Sequence, residues 1–284
     1  MRYRVLGRTG LRVSEVGCGS ATLGLTDYIE RWDARSDEAA TQGAAALERA
    51  LDLGYNYVDT AASYGEGRAE EILGPVIARR RSELFLATKT RWKGWNESQV
   101  IAEAEACLRR LRTDYLDVIQ FHGGDYKPED YRQIMEGGPF AAYEQLQRAG
   151  KVRFLGITAE EATTLRPFLA TGRFDVVQIR YNIIHQNPYH EFLNEAVQAG
   201  VGVVVMRPLS SGVFQRLMAA ALPGVEASYD LSEAALNFVL SDPRISTAIV
   251  GLRRVEEVER NAALSDARSR RLDLRRIHER YVRE

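Results

Sequence analysis

The sequence predicts a single closed (β/α)8 barrel, the TIM-barrel architecture, over residues 1–284, with an N-terminal β-hairpin and an extra C-terminal helix. Three observations carry that expectation. A helix-then-strand unit returns seven times after a first strand near Val16, so eight strands are expected. The strands are near-continuous apolar runs, as expected where a parallel sheet is covered on both faces. The length of 284 residues also suits one barrel, which commonly takes about 250.

The elements follow in order. Residues 2–15 alternate apolar and polar around Arg8-Thr9-Gly10 and read as a hairpin. Val16-Gly17-Cys18-Gly19-Ser20 is a glycine-rich strand end. After a loop holding Tyr28 and Trp32, Ser36 or Asp37 caps a helix with Ala44, Leu47, Ala50 and Leu51 on its apolar side, closed by Gly54. The strand Tyr55–Asp59 follows, then a helix around Ala69–Ile77 and the strand Leu84–Lys89. A helix from Glu97 to Leu111 leads to Tyr115–Phe121, and one near Phe140–Gln147 leads to Val152–Thr158. Glu160–Leu169 precedes Asp175–Ile179, and Pro188–Ala199 precedes Val201–Met206. Leu231–Leu240 precedes Ile245–Val250, and Val255–Leu264 follows. The last segment, Ser265–Glu284, is arginine-rich up to Arg283. Leu272, Leu274, Ile277 and Tyr281 mark it as an amphipathic helix lying on the barrel.

A doubly wound open sheet is the competing architecture, and it normally carries G-x-G-x-x-G after its first strand. Gly17-x-Gly19 has its next glycine at Gly24, and Gly65-x-Gly67 has Glu70 in the third place, so neither fits. A net charge of −1 argues against a nucleic-acid partner. No stretch approaches the ~20 apolar residues of a membrane span, and the first residues lack a signal-peptide core. Cys18 and Cys107 are far apart in apolar contexts and read as reduced core residues, so the expected location is the cytoplasm. No metal-ligand spacing is present.

In such barrels the chemistry lies at the carboxyl ends of the strands. Those positions hold Asp59, then Tyr64 on the following loop, Lys89, and His122 just past Phe121. Each alone has an ordinary structural reading as a turn residue, a snorkelling amine or a buried imidazole. Together they place an acid, a phenol, an amine and an imidazole at one end of three neighbouring strands. That set suits proton transfer by tyrosine. A phenol with a pKa of about 10 is a poor proton carrier near neutrality, and an adjacent ammonium lowers that value. Asp59 would hold Lys89 charged, and His122 would orient a substrate carbonyl beside Tyr64.

The chain resembles the aldo-keto reductases. The resemblance is carried by GRTGLRVSEVGCGS, VDTAASYGEGRAEEILG, ATKT, LDVIQFH, the GIT strand end, DVVQIRYN and IVGLRRVEEVERNAAL, in family order over almost the whole chain. It implies a catalytic tetrad of Asp59, Tyr64, Lys89 and His122. It also implies a nicotinamide cofactor extended across the barrel mouth, with hydride passing between it and a carbonyl or alcohol carbon.

Cofactor positions implied by the resemblance begin with Gly19 at the end of the first barrel strand. Gln178 matches a residue that bonds the nicotinamide carboxamide. The family's Ser-Asn pair after the fifth barrel strand is Thr158-Ala159 here, which keeps a hydroxyl and loses an amide. Met206 stands where an aromatic residue often stacks on the ring, and sulfur can still pack there. Pro208, Leu209, Ser210 and Gly212 belong to a loop over the pyrophosphate. Gly251 opens the loop after the eighth barrel strand, where Arg253 and Arg254 precede a helix start and can clamp a 2′-phosphate. Glu257 opposes that phosphate or accepts a ribose hydroxyl, and Asn261 matches a residue near the adenine. The expected cofactor is NADP, with NAD the alternative.

The substrate pocket is expected from three aromatic-bearing loops, with Tyr28 on the first, Trp92 and Trp95 on the second and Tyr126 on the third. These suit an apolar or ring-stacking partner, either a carbonyl compound or a sugar. Two other functions are compatible with the residues. One is a cofactor-bound regulatory or accessory protein on the same fold. The other is a lyase or isomerase using Lys89 through a Schiff base, which the Asp59 partner opposes because that chemistry needs a neutral amine. The sequence leaves the oligomeric state open.

Overall fold

A computed structural model describes residues 1–281. Strands β1 (Tyr3–Val5) and β2 (Arg12–Ser14) form the expected hairpin, with Tyr3 opposite Ser14. Eight parallel strands then close into a barrel: β3 (Val16–Gly19), β4 (Tyr57–Asp59), β5 (Phe85–Thr90), β6 (Leu116–Phe121), β7 (Val152–Ala159), β8 (Val176–Arg180), β9 (Gly202–Met206) and β10 (Thr247–Gly251). β10 pairs with both β9 and β3, so the sheet has no edge, which decides against the open doubly wound alternative.

The hairpin plugs one end of the barrel. Leu6, Leu11 and Val13 pack on an interior layer contributed by Tyr57, Ala87, Val118, Val176, Val204 and Ile249. Side chains alternate across a strand, so residues two further along each strand point inward again. Those residues are Asp59, Lys89, Gln120, Gln178, Met206 and Gly251. An apolar layer thus carries a polar one directly above it, at the carboxyl ends of the strands.

Helices enclose the sheet where capping and amphipathicity predict them. Ser36 Oγ accepts from Ala39 N at 3.1 Å to start Asp37–Asp52. Asn96 and Gln99 form a reciprocal capping box that starts Glu97–Leu111. Leu231–Leu240 begins at Asp230, whose carboxylate accepts from the Ser232 and Glu233 amides. Cys18 and Cys107 are buried, unpaired core residues. No helix among the described residues is long and apolar enough to cross a membrane.

The departures are local. The expected helix over Glu160–Leu169 is a 3-10 turn at Ala162–Leu165 followed by the short helix Arg166–Ala170, because Pro167 lacks the amide an uninterrupted helix needs there. The expected Pro188–Ala199 is a 3-10 turn at Asn187–Tyr189 followed by the helix Phe192–Gln198, the chain leaving helical geometry at Glu191 between them. Two helices, Pro128–Glu136 and Val213–Ala221, lie in loops that the strand count leaves unassigned.

Among the described residues, the C-terminal segment has a 3-10 turn at Arg268–Arg270 and an α-helix at Leu274–Tyr281. Its apolar stripe is used in part: Leu274 is buried, while Leu272 and Ile277 are exposed. Arg271 is the stronger anchor, donating to Glu15 Oε1 and to Asn237 Oδ1, each at 2.6 Å. Arg283 and the side chains of Arg268, Arg280 and Tyr281 lie outside what is described.

Candidate active site

Lys89 is the hub of the polar layer. Its ammonium donates to Asp59 Oδ2 at 2.5 Å, to the Thr60 carbonyl at 2.8 Å and to Tyr64 Oη at 3.3 Å. Both charged side chains are almost fully buried. Burial alone pushes the Lys89 ammonium down, but Asp59 and Tyr64 together outweigh it and hold the value above its ordinary one. Burial raises the Asp59 carboxyl, opposed by Lys89, Gln178 and Gln120.

The expected depression of the Tyr64 phenol does not result. Burial raises it, and the nearby Lys89 charge offsets that only in part, so the phenol ends above its ordinary value. Tyr64 therefore stands protonated through the neutral range, as a proton donor requires.

His122 follows β6, and its amide donates to the Thr90 carbonyl at 3.0 Å. Its ring lies edge-on to Tyr64, with centroids 5.6 Å apart. Ser63 Oγ pairs with Nδ1 at 2.9 Å, which leaves Nε2 as the nitrogen available to a substrate oxygen. Burial and the charges of Lys89 and Arg91 lower the imidazole from 6.5 to about 3, so it is neutral near pH 7.

That shift predicts an acid-sensitive fold. The unfolded imidazole binds its proton near 6.5 and the folded one near 3, so stability falls as pH falls between those values. At pH 5 the loss is about 2 kcal/mol. Urea unfolding at pH 7 and pH 5 should show this extra loss in the wild type and not in His122→Asn. Equal losses in both proteins would remove the assignment.

The tetrad opens into a cavity of about 400 Å³. Asp59, Tyr64, Lys89, His122, Gly19, Thr158, Gln178, Met206, Pro208, Leu209, Gly251 and Tyr28 all line it. Trp92, Trp95 and Tyr126 do not. Trp92 packs on Tyr126 with ring centroids 5.6 Å apart and donates Nε1 to the His122 carbonyl at 3.1 Å. Tyr126 is buried and donates to the Phe121 carbonyl. These two aromatics support the His122 segment from behind and do not form a pocket wall. Trp95 is half-buried under Arg91. Ser210, Gly212, Arg253, Arg254, Glu257 and Asn261 also lie off the cavity wall, Ser210, Arg253 and Asn261 being buried.

Residues beneath and around the cavity escaped the sequence reading. Gln120 donates to Gln178 Oε1 at 3.0 Å and toward Asp59 Oδ1 at 3.4 Å, tying the carboxylate to β8. Its place two residues beyond Val118 was the available signal. Gly156 makes room for it, since a Cβ there would come within 2.8 Å of Gln120 Cγ. The Thr158 hydroxyl accepts from the Gly123 amide at 3.0 Å and donates to the Phe121 carbonyl at 3.2 Å, so it pins the loop that carries His122.

Glu160 also faces the cavity and pairs with Arg207 at 2.8 Å. Arg207, Ser210 and Ser211 all take positive φ in the loop after β9. Such clustered strain in non-glycine residues is characteristic of functional loops. Leu25 and Ile29 join Tyr28 on the first loop to give the wall an apolar side.

Comparison with known proteins agrees with this geometry. The chain is 28% identical to the uncharacterized oxidoreductase YqkF of Bacillus subtilis (strain 168), over 94% of this chain and 92% of that one. It is likewise 28% identical to L-galactose dehydrogenase of Arabidopsis thaliana, over 98% and 93%. An aldo-keto reductase from Bacillus halodurans, solved in its holo form, superposes with a TM-score of 0.77 at 26% identity, over 97% and 93% of the two chains. The model of the Aldo/keto reductase family matches residues 15–280 and so takes in all eight barrel strands. With the barrel closed and its polar layer inside the matched span, the chain belongs to the aldo/keto reductase family.

Proposed function

We propose that this protein is an NADP(H)-dependent oxidoreductase that interconverts a carbonyl and an alcohol, with Tyr64 as the general acid and base. The observation that carries the reading is the position of the Lys89 ammonium. It bonds Asp59 at 2.5 Å and Tyr64 at 3.3 Å on the floor of the cavity.

A bound nicotinamide supplies or accepts the hydride at the substrate carbon. The chain's own residues handle the proton and the oxygen. Tyr64 gives its proton to the carbonyl oxygen in reduction, and Lys89 stabilises the phenolate left behind. Neutral His122 presents Nε2 to the same oxygen and fixes the carbonyl's direction. Asp59, Gln120 and Gln178 keep Lys89 charged and in place. No step needs a metal ion or a covalent intermediate on the protein.

The residues present suit the dinucleotide. Thr22 Oγ1, on the cavity wall, and Arg253 Nε, beside the loop after β10, are buried without hydrogen-bond partners. Gly19 and Gly251 lie side by side in register on β3 and β10, and both line the cavity. Gln178 and Thr158 would serve the carboxamide end and Met206 the ring. Pro208, Leu209, Ser210 and Gly212 would cover the pyrophosphate, Asn261 would lie near the adenine, and Arg253 with Arg254 would take the 2′-phosphate.

The test is a cofactor-absorbance assay of aldehydes, ketones and sugars with each cofactor. Sugars belong in the panel because the name of one relative marks it as a galactose dehydrogenase. Turnover of at least one class is expected. Tight nucleotide binding without turnover on any would instead favour an accessory role for the chain.

A further inference from the structure

The loop after β3 reaches across to the loop after β10. Glu30 Oε1 lies 3.1 Å from Arg253 Nη2 and 2.7 Å from Arg254 Nη1. The two arginines expected to hold a 2′-phosphate therefore already share a carboxylate, and it comes from a distant part of the chain. Glu257, which sequence reasoning singled out as the opposing charge, stands further off, at 3.9 and 3.6 Å.

Glu30 is presented by a braced loop. Asp27 N donates to the Trp32 carbonyl at 3.0 Å, and Trp32 N donates back to Asp27 Oδ1 at 2.9 Å, closing the loop at its base. The Trp32 indole donates to the Leu23 carbonyl at 3.1 Å, and the Arg253 guanidinium sits over its ring at 5.7 Å. Arg253 is only 7% exposed, and its Nε has no partner. A buried guanidinium with one donor unspent marks a place for a further anion, and Glu30 supplies only part of it.

Resting on the nucleotide reading above, we infer that Glu30 is a specificity-determining residue, an internal anion on the Arg253–Arg254 pair that a 2′-phosphate must displace. It sets how far the protein favours NADP(H) over NAD(H). A nucleotide with a free 2′-hydroxyl leaves the Glu30 pairs in place, whereas one with a 2′-phosphate brings negative charge against a carboxylate. The residues just before it, Tyr28 and Ile29, line the catalytic cavity, so displacement of Glu30 also bears on the substrate wall.

The test is calorimetric titration of the wild type, Glu30→Gln and Glu257→Gln with NADPH, NADH and 2′,5′-ADP, which carries the phosphate without nicotinamide. Glu30→Gln should tighten NADPH and 2′,5′-ADP by roughly three- to tenfold and leave NADH within about twofold, since one partly screened charge pair is being removed. Glu257→Gln should do less, in keeping with its longer distances. An unchanged NADPH-to-NADH ratio in Glu30→Gln, or equal tightening of both, would overturn the role of Glu30 while leaving the cofactor reading standing. Failure of the wild type to bind either dinucleotide would instead overturn the cofactor reading itself, and this inference with it.

Discussion

Tyr64→Phe is expected to lower turnover by about a thousandfold while NADPH still binds, because the substitution removes the proposed proton donor and little else. The ring stays, and with it the edge-on contact to His122 at 5.6 Å. Lys89 keeps its bonds to Asp59 and the Thr60 carbonyl, so the buried pair below is undisturbed. The wild-type pH profile is the companion measurement. Burial holds the Tyr64 phenol above its ordinary value against the pull of Lys89. Reduction needs the protonated phenol, so its rate should stay level through neutrality and fall only above pH of about 10. Unchanged turnover in Tyr64→Phe, measured beside fluorescence titration of NADPH, would remove the proton-transfer assignment.

The barrel was legible because its physics is repetitive. Apolar runs such as Leu84–Ala87 and Val203–Val205 have one comfortable place, a sheet covered on both faces, and eight such strands close. That Asp59, Tyr64, Lys89 and His122 would meet at one end of the barrel was legible because reactive side chains at strand ends stand out against such runs. What stayed hidden depends on tertiary direction. Trp92 and Tyr126 sit on the expected loops but turn toward each other and the His122 backbone, and composition says nothing about which way a ring faces. Glu30 lies over two hundred residues from its arginine partners, with no local pattern to link them. The net lift of the Tyr64 phenol was also beyond sequence. It is the balance of burial and the Asp59 charge against the Lys89 charge, which only the folded site decides.

Lys89→Met should separate the two roles of the buried ammonium, in stability and in chemistry. Lys89 and Asp59 are each about 98% buried or more, so removing the cation strands a carboxylate whose remaining side-chain support is the neutral amides of Gln120 and Gln178. Breaking such a pair costs about 3–5 kcal/mol, which lowers Tm by on the order of 10 °C. The stranded Asp59 relieves the cost by holding a proton, because burial already pushes its carboxyl up. Its folded value then lies above the unfolded one, so the variant's deficit should shrink as pH is lowered and grow as pH rises. Asp59→Asn/Lys89→Met removes both charges and should recover most of the lost Tm. Turnover should behave differently. Nothing in the double variant stabilises the Tyr64 phenolate, so its rate should remain about a hundredfold or more below wild type, as low as in Lys89→Met. Scanning calorimetry and the reductase assay on the two variants distinguish the roles even if Lys89→Met alone is too unstable to purify. A double variant that regains turnover along with stability would mean that the ammonium only holds the floor of the barrel together.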